Sequence, residues 1–111
     1  MIRISFKYDR DNIPTGIWCL GHAGAAEHGK DIVCAAVSAL VINTCNSIEA
    51  LTKDRFTGES NEDKGYLLFE LEEPCSDESK LLMRSLELGI RDIQKSNRRY
   101  ISFIDWEVKS C

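Results

Sequence analysis

No two cysteines in this chain stand close enough to make a C-x-x-C unit. Its five cysteines, at positions 19, 34, 45, 75 and 111, are odd in number, which argues against a disulfide framework or a zinc ribbon and leaves reduced thiols as the expectation. An excess of positive charge is also missing. With 14 Lys and Arg against 18 Asp and Glu the formal net charge is -4, which disfavours a direct nucleic-acid binder, because such proteins use a basic surface to displace phosphate counterions. The small basic cluster of Lys95, Arg98 and Arg99 falls at the end of an expected helix, where cations offset the negative terminus of the peptide dipoles. Long apolar runs are lacking as well, so no membrane span is expected, and Met1 to Lys7 alternates apolar and charged residues instead of forming the apolar block of a signal peptide. The expected location is the cytoplasm. No internal repeat, low-complexity tract or linker divides the chain, and 111 residues fit a single domain, 1–111, small enough for dimerisation to add to its core.

What is present is the balance of a globular chain, 43% hydrophobic and 29% charged, with apolar residues spaced as secondary structure requires. Ile2, Ile4, Phe6 and Tyr8 alternate with Arg3, Ser5, Lys7 and Asp9, the pattern of a half-buried strand. The Asp- and Asn-rich stretch from Asp9 to Pro14 predicts a turn, and Gly16 to Gly21 a second strand paired with the first as a hairpin. Val33, Val37, Leu40, Val41, Ile48 and Leu51 recur at helical spacing, predicting a central helix from Asp31 to about Leu51. Lys53 to Gly65 is polar, carries charges of both signs and reads as a solvated connection to which no chemistry is assigned. Tyr66 to Leu71 predicts a strand ended by Pro74, and Leu82, Leu86, Ile90 and Ile93 a helix capped by Ser76 or Asp77 and running to about Asn97. Ile104, Trp106 and Val108 alternate with Asp105 and Glu107 as a last strand. The expected fold is therefore α+β, a small single domain in the order strand-strand-helix-strand-helix-strand, with helices packed on a mostly antiparallel sheet.

The candidate chemistry lies between the second strand and the central helix. His22 stands in Gly21-His22-Ala23-Gly24 at the strand end, and Cys34 follows twelve positions later in Asp31-Ile32-Val33-Cys34. A cysteine nucleophile needs a base for its proton, and histidine is the side chain best matched to that exchange near neutral pH. With Asp31 as N-cap, Cys34 becomes the third helical residue, where unpaired amides and the helix dipole favour a thiolate and offer donors to an oxyanion. Asp31 as an orienter of His22 conflicts with that thiolate, since a nearby carboxylate opposes it, so capping is the favoured role. Ser38 shares the helix face of Cys34 one turn on, where its hydroxyl either supports the thiolate or bonds back to the backbone. Gly21, Gly24 and Gly29 read as hinges of a mobile loop that also carries His28. Cys19, Cys45, Cys75 and Cys111 have no such surroundings. A zinc site from His22, His28 and Cys34 matches no standard spacing, and no metal or cofactor is expected. A binding or assembly module in which Cys34 is only packed, or a thiol redox sensor, would share these residues.

Gly21-His22-Ala23 together with Gly29-x-Asp31-Ile32-Val33-Cys34-Ala35-x-x-Ser38 resembles the ribosomal-processing cysteine protease family, often called Prp. The resemblance implies a cytosolic bacterial endopeptidase, usually a homodimer, that removes the N-terminal extension of a large-subunit ribosomal protein during ribosome maturation. It matches His22 and Cys34 to the family's catalytic pair. It also implies a cut after an aromatic residue and before small ones, with the loop from Ala23 to Lys30 ordering over the site when substrate binds.

Overall fold

Five strands form one sheet in the order β3-β4-β2-β1-β5, and two helices cover one of its faces. The computed structural model describes residues 1–21 and 28–106, the side chains of 28–31 excepted. Along the chain run β1 (Ile2–Tyr8), β2 (Pro14–Leu20), α1 (His28–Leu51), β3 (Phe56–Asn61), a single 3-10 turn (Glu62–Lys64), β4 (Tyr66–Leu71), α2 (Asp77–Ser96) and β5 (Ile101–Phe103). Every pairing is antiparallel except β1 with β5, which is parallel because α2 carries the chain back across the sheet between β4 and β5. The α+β expectation therefore holds.

The hairpin of β1 and β2 forms where the turn chemistry lies. Asp9 Oδ1 accepts from the amides of Asp11 and Ile13, and Asn12 takes the positive φ of 61° that such a turn requires. Register then sets the faces: Ile4 pairs with Cys19 and Phe6 with Ile17, so these side chains point together towards the helices. Val33, Val37, Val41 and Ile48 of α1 and Met83, Leu86 and Ile90 of α2 complete the buried core. At about 25 cal/mol per Å2 of apolar surface, each such side chain contributes roughly 1.5–3 kcal/mol.

The opposite sheet face is less polar than the alternation in β1 predicts. Ser5 and Trp18, which pair across β1 and β2, are both buried there, and Trp18 meets Tyr66 edge to face. Tyr8 departs in the other direction: a register shift between Lys7 and Tyr8 leaves it exposed, bonded to Glu87 and Arg91 of α2.

Three other expectations need correction. The polar stretch after Lys53 contains β3, an exposed edge strand without an alternating pattern, which exists because it pairs with β4 from Phe56–Leu71 to Asn61–Tyr66. The last strand is Ile101–Phe103, earlier than expected, since Ile2 pairs with Ile101 and Ile4 with Phe103. Ile104 adds one hydrogen bond to Ile4, and Val108 lies outside the described residues. The segment Ile32–Leu51 is, by length and composition, long and apolar enough to cross a membrane. Asn43, Thr44, Asn46 and Ser47 interrupt its apolar run without adding charge, while five of its residues, Val33, Val37, Val41, Thr44 and Ile48, are buried.

Candidate active site

A cleft of about 370 Å3 opens at one end of the sheet between α1, the end of β2 and the connection from β3 to β4. Cys34 and Ser38 border it from α1, Cys34 half-buried and Ser38 exposed one turn further on. Gly21 borders it from β2, and Glu62, Gly65 and Tyr66 from the β3–β4 side. The structure thus brings Gly21, Cys34 and Ser38 to one place. His22 and Gly24 lie outside the described residues.

Local sequence explains how β2 delivers the chain to this cleft. Gly21 has φ of 102°, a conformation that L side chains rarely adopt, and a Cβ there would lie 2.5 Å from the Met1 carbonyl oxygen. Its amide donates to the carbonyl of Gly65 at 3.1 Å. Gly21 is therefore an anchored crossing point of two backbones, and the expectation of a hinge is corrected by that close approach.

The start of α1 also differs from the expectation. The helix begins at His28, so Asp31 lies in its first turn and is not its N-cap, and Gly29 sits within the helix and not in a loop. An aspartate is favourable both at the cap and throughout the first turn, so residue type alone does not separate the two positions. Cys34 is consequently the seventh residue of α1. The amides that lack an intrahelical acceptor belong to the first turn, which ends before Cys34, and the dipole acts mainly there. Activation of Cys34 by the helix terminus is therefore weaker than the sequence suggests.

The thiols differ in burial, and burial sorts their chemistry. Cys19, in the core beneath the cleft, is pushed up to about 12 by burial, reinforced by the nearby Cys45 and Cys34 sulfurs. Burial pushes Cys45 up to about 11, and it raises Cys75 as well. All four described cysteines are free thiols. Among the described residues no group of three His, Cys, Asp or Glu side chains is arranged to hold a metal ion.

The β3–β4 connection was assigned no chemistry from sequence, yet it supplies one wall of the cleft. Asn61 accepts from the Lys64 amide at 3.3 Å as a cap, and Gly65 closes the turn in the left-handed conformation with its amide donating to the Glu62 carbonyl at 3.1 Å. Asn61 and Gly65 framing the charged triplet Glu62-Asp63-Lys64 are the sequence signal that marks this turn. Its place beside Cys34 comes from strand pairing, which local sequence does not reveal.

Comparison with known proteins agrees with this architecture. Residues 1–102 match the profile of the family described as cysteine protease Prp. The ribosomal processing cysteine protease Prp of Bacillus subtilis (strain 168) is 30% identical over 99 residues, covering 86% of this chain and 88% of its own length. The crystal structure of the essential ribosomal processing protease Prp from S. aureus, in complex with a covalently linked product peptide, superposes with a TM-score of 0.84 at 25% identity, covering 95% of this chain and 99% of that one. A Streptococcus mutans structure, SMU.848, superposes with a TM-score of 0.84 at 30% identity, covering 95% and 93%. These matches place the chain among the cysteine-type peptidases. The chain belongs to the cysteine protease Prp family.

Proposed function

We propose that this protein is an endopeptidase that removes the N-terminal extension of a large-subunit ribosomal protein, with Cys34 as nucleophile and His22 as general base. The observation that carries this reading is the place of Cys34: a half-buried thiol on the wall of a mainly apolar cleft, facing the strand end from which the chain enters His22. Cys19 borders the same cleft but is buried and held protonated, and Cys45 and Cys75 lie away from it.

The chemistry follows from those two side chains. His22 accepts the thiol proton as sulfur bonds to the scissile carbonyl carbon, and the imidazolium returns that proton to the departing amine as the C–N bond breaks. Water, deprotonated by the same imidazole, then hydrolyses the thioester and frees Cys34. Because Cys34 sits beyond the first helical turn, the thiolate depends more on His22 than on the helix dipole. Ser38, one turn on, supports a bound water or the thiolate, and Asp31 contributes negative charge to the first turn of α1. Free thiols suit a reducing cytoplasm, where the ribosomal substrate is made. A homodimer, as the family resemblance implies, is part of the same proposal.

The test is incubation with the extended ribosomal protein of the same organism, beside a Cys34→Ala control, followed by intact mass. Loss of an N-terminal peptide with the unaltered protein and none with Cys34→Ala is the expected result. Equal cleavage by both, or none by a folded and reduced sample, overturns the reading.

A further inference from the structure

We infer that Glu62 is a specificity-determining residue, which selects a substrate with a basic side chain close to the scissile bond. The inference rests on the peptidase reading of the cleft and adds to it the residue that reads charge. Among the described residues lining the cleft, Glu62 is the one Lys, Arg, Asp or Glu, and the floor formed by Ile2, Val37, Val41 and Leu67 is apolar. Glu62 is exposed at the rim where the apolar wall meets solvent, so its single carboxylate sets the sign of the local field there while solvent and salt screen part of it.

The backbone that carries this side chain is also fixed to the site. The Glu62 carbonyl accepts from the Gly65 amide, and the Gly65 carbonyl accepts from the Gly21 amide, both at 3.1 Å. This two-bond relay links the backbone of Glu62 to the residue immediately before His22. The turn's main chain is in place before substrate arrives, so only the Glu62 side chain has to be ordered on binding. No ion pair within the described residues engages Glu62, which leaves its carboxylate for a cation on the substrate. An extended peptide lying in the cleft would put an apolar side chain on the floor and present a Lys or Arg from a neighbouring position to Glu62. An exposed pair of this kind is worth about a 1.5- to fivefold preference, larger at low salt.

The experiment uses peptides spanning the processed junction, with Lys or the uncharged norleucine placed in turn at each position flanking the cut. Their affinities are measured by fluorescence anisotropy for Cys34→Ala, Cys34→Ala/Glu62→Gln and Cys34→Ala/Glu62→Lys, and their kcat/KM with Cys34 present. One position is expected to favour Lys about 1.5- to fivefold at low salt, with the ratio falling to about one in Glu62→Gln and inverting in Glu62→Lys. A Lys preference that survives Glu62→Gln, or is absent at every position, overturns the inference. Charge-selective binding without Cys34-dependent cleavage would retain Glu62 as the reader and reject the peptidase reading.

Discussion

The amide of Gly21 donates to the carbonyl of Gly65 at 3.1 Å, so the strand end that leads into His22 is fixed to the turn that carries Glu62. Both residues use positive φ, 102° at Gly21 and 62° at Gly65, and a Cβ at Gly21 would also lie 2.5 Å from the Met1 carbonyl oxygen. Gly21→Ala is expected to lower stability by about 1–3 kcal/mol, combining the strained φ with a clash against a main chain that cannot rotate away. Urea unfolding measures the loss. Cleavage should fall further than stability predicts, because the displaced strand end carries His22, and a fully active, fully stable variant would sink the argument.

Thiol reactivity provides a second check that needs no substrate. A group whose value is raised holds less thiolate at a given pH, and at about 12 the ionised fraction of Cys19 near pH 8 is about one in ten thousand. Iodoacetamide at pH 8, followed by peptide mass spectrometry, should therefore label Cys34 first among Cys19, Cys34, Cys45 and Cys75, and Cys19 only after denaturation. Labelling of Cys19 as fast as Cys34 would show that the core beneath the cleft opens.

Much of the fold was legible because the strong patterns coincide with burial. Ile2, Ile4 and Phe6 in β1, the valines of α1 and the Ser76 cap of α2 all lie where periodicity and capping chemistry put them. β3 was not legible. Its sequence Phe-Thr-Gly-Glu-Ser-Asn is almost wholly exposed at a sheet edge, so no buried face imposed a pattern, and pairing with β4 alone makes it a strand. The final strand was misplaced because Ile104, Trp106 and Val108 alternate more cleanly than Ile101 to Phe103, although the parallel partner β1 selects the earlier segment. Cys34 was legible from its motif, whereas the cleft wall opposite was not, since Glu62 and Gly65 reach it only through β4 pairing with β2, from Leu20–Tyr66 onward.

Acid sensitivity should originate far from the cleft, where Asp54 joins the entry of β3 to the start of α2. Its carboxylate accepts from the Ser76 amide at 3.1 and 3.2 Å and from the hydroxyls of Ser76 and Ser79. The Ser76 hydroxyl, then that of Ser79, hold its pKa below the ordinary 3.8 against an opposing effect of burial. Asp9 is lowered in the same way, first by the Ile13 amide and then by the Asp11 amide and Lys80. A depressed folded value means that the contribution is present above pH 3.8 and disappears as pH falls through the folded value. The urea midpoint of the unaltered protein should drop between pH 5 and pH 3, and Asp54→Asn should lower the midpoint at pH 5 while shrinking that difference. An undiminished pH dependence in Asp54→Asn would remove Asp54 from the account.

Helix spacing gives a prediction in which two effects of opposite sign compete. Gly89 lies in the interior of α2 facing α1, and a Cβ there would sit 3.0 Å from Leu40 Cδ1 and 3.9 Å from Cδ2. Glycine costs about 1 kcal/mol relative to alanine in a helix interior, so Gly89→Ala recovers about that much from propensity. Against it stands overpacking, about 1–3 kcal/mol when a crowded core cannot move. The crowded atom here is the far end of a half-buried leucine, free to shift by a few tenths of an ångström, so propensity should win and Gly89→Ala should stabilise by about 0.5 kcal/mol in urea unfolding. Destabilisation by about 1 kcal/mol or more would mean that Leu40 is locked and that Gly89 sets the distance between the helices. A double-mutant cycle with Leu40→Ala separates the outcomes, because a locked contact predicts that removing Leu40 restores the gain from alanine while a mobile one predicts nearly additive effects.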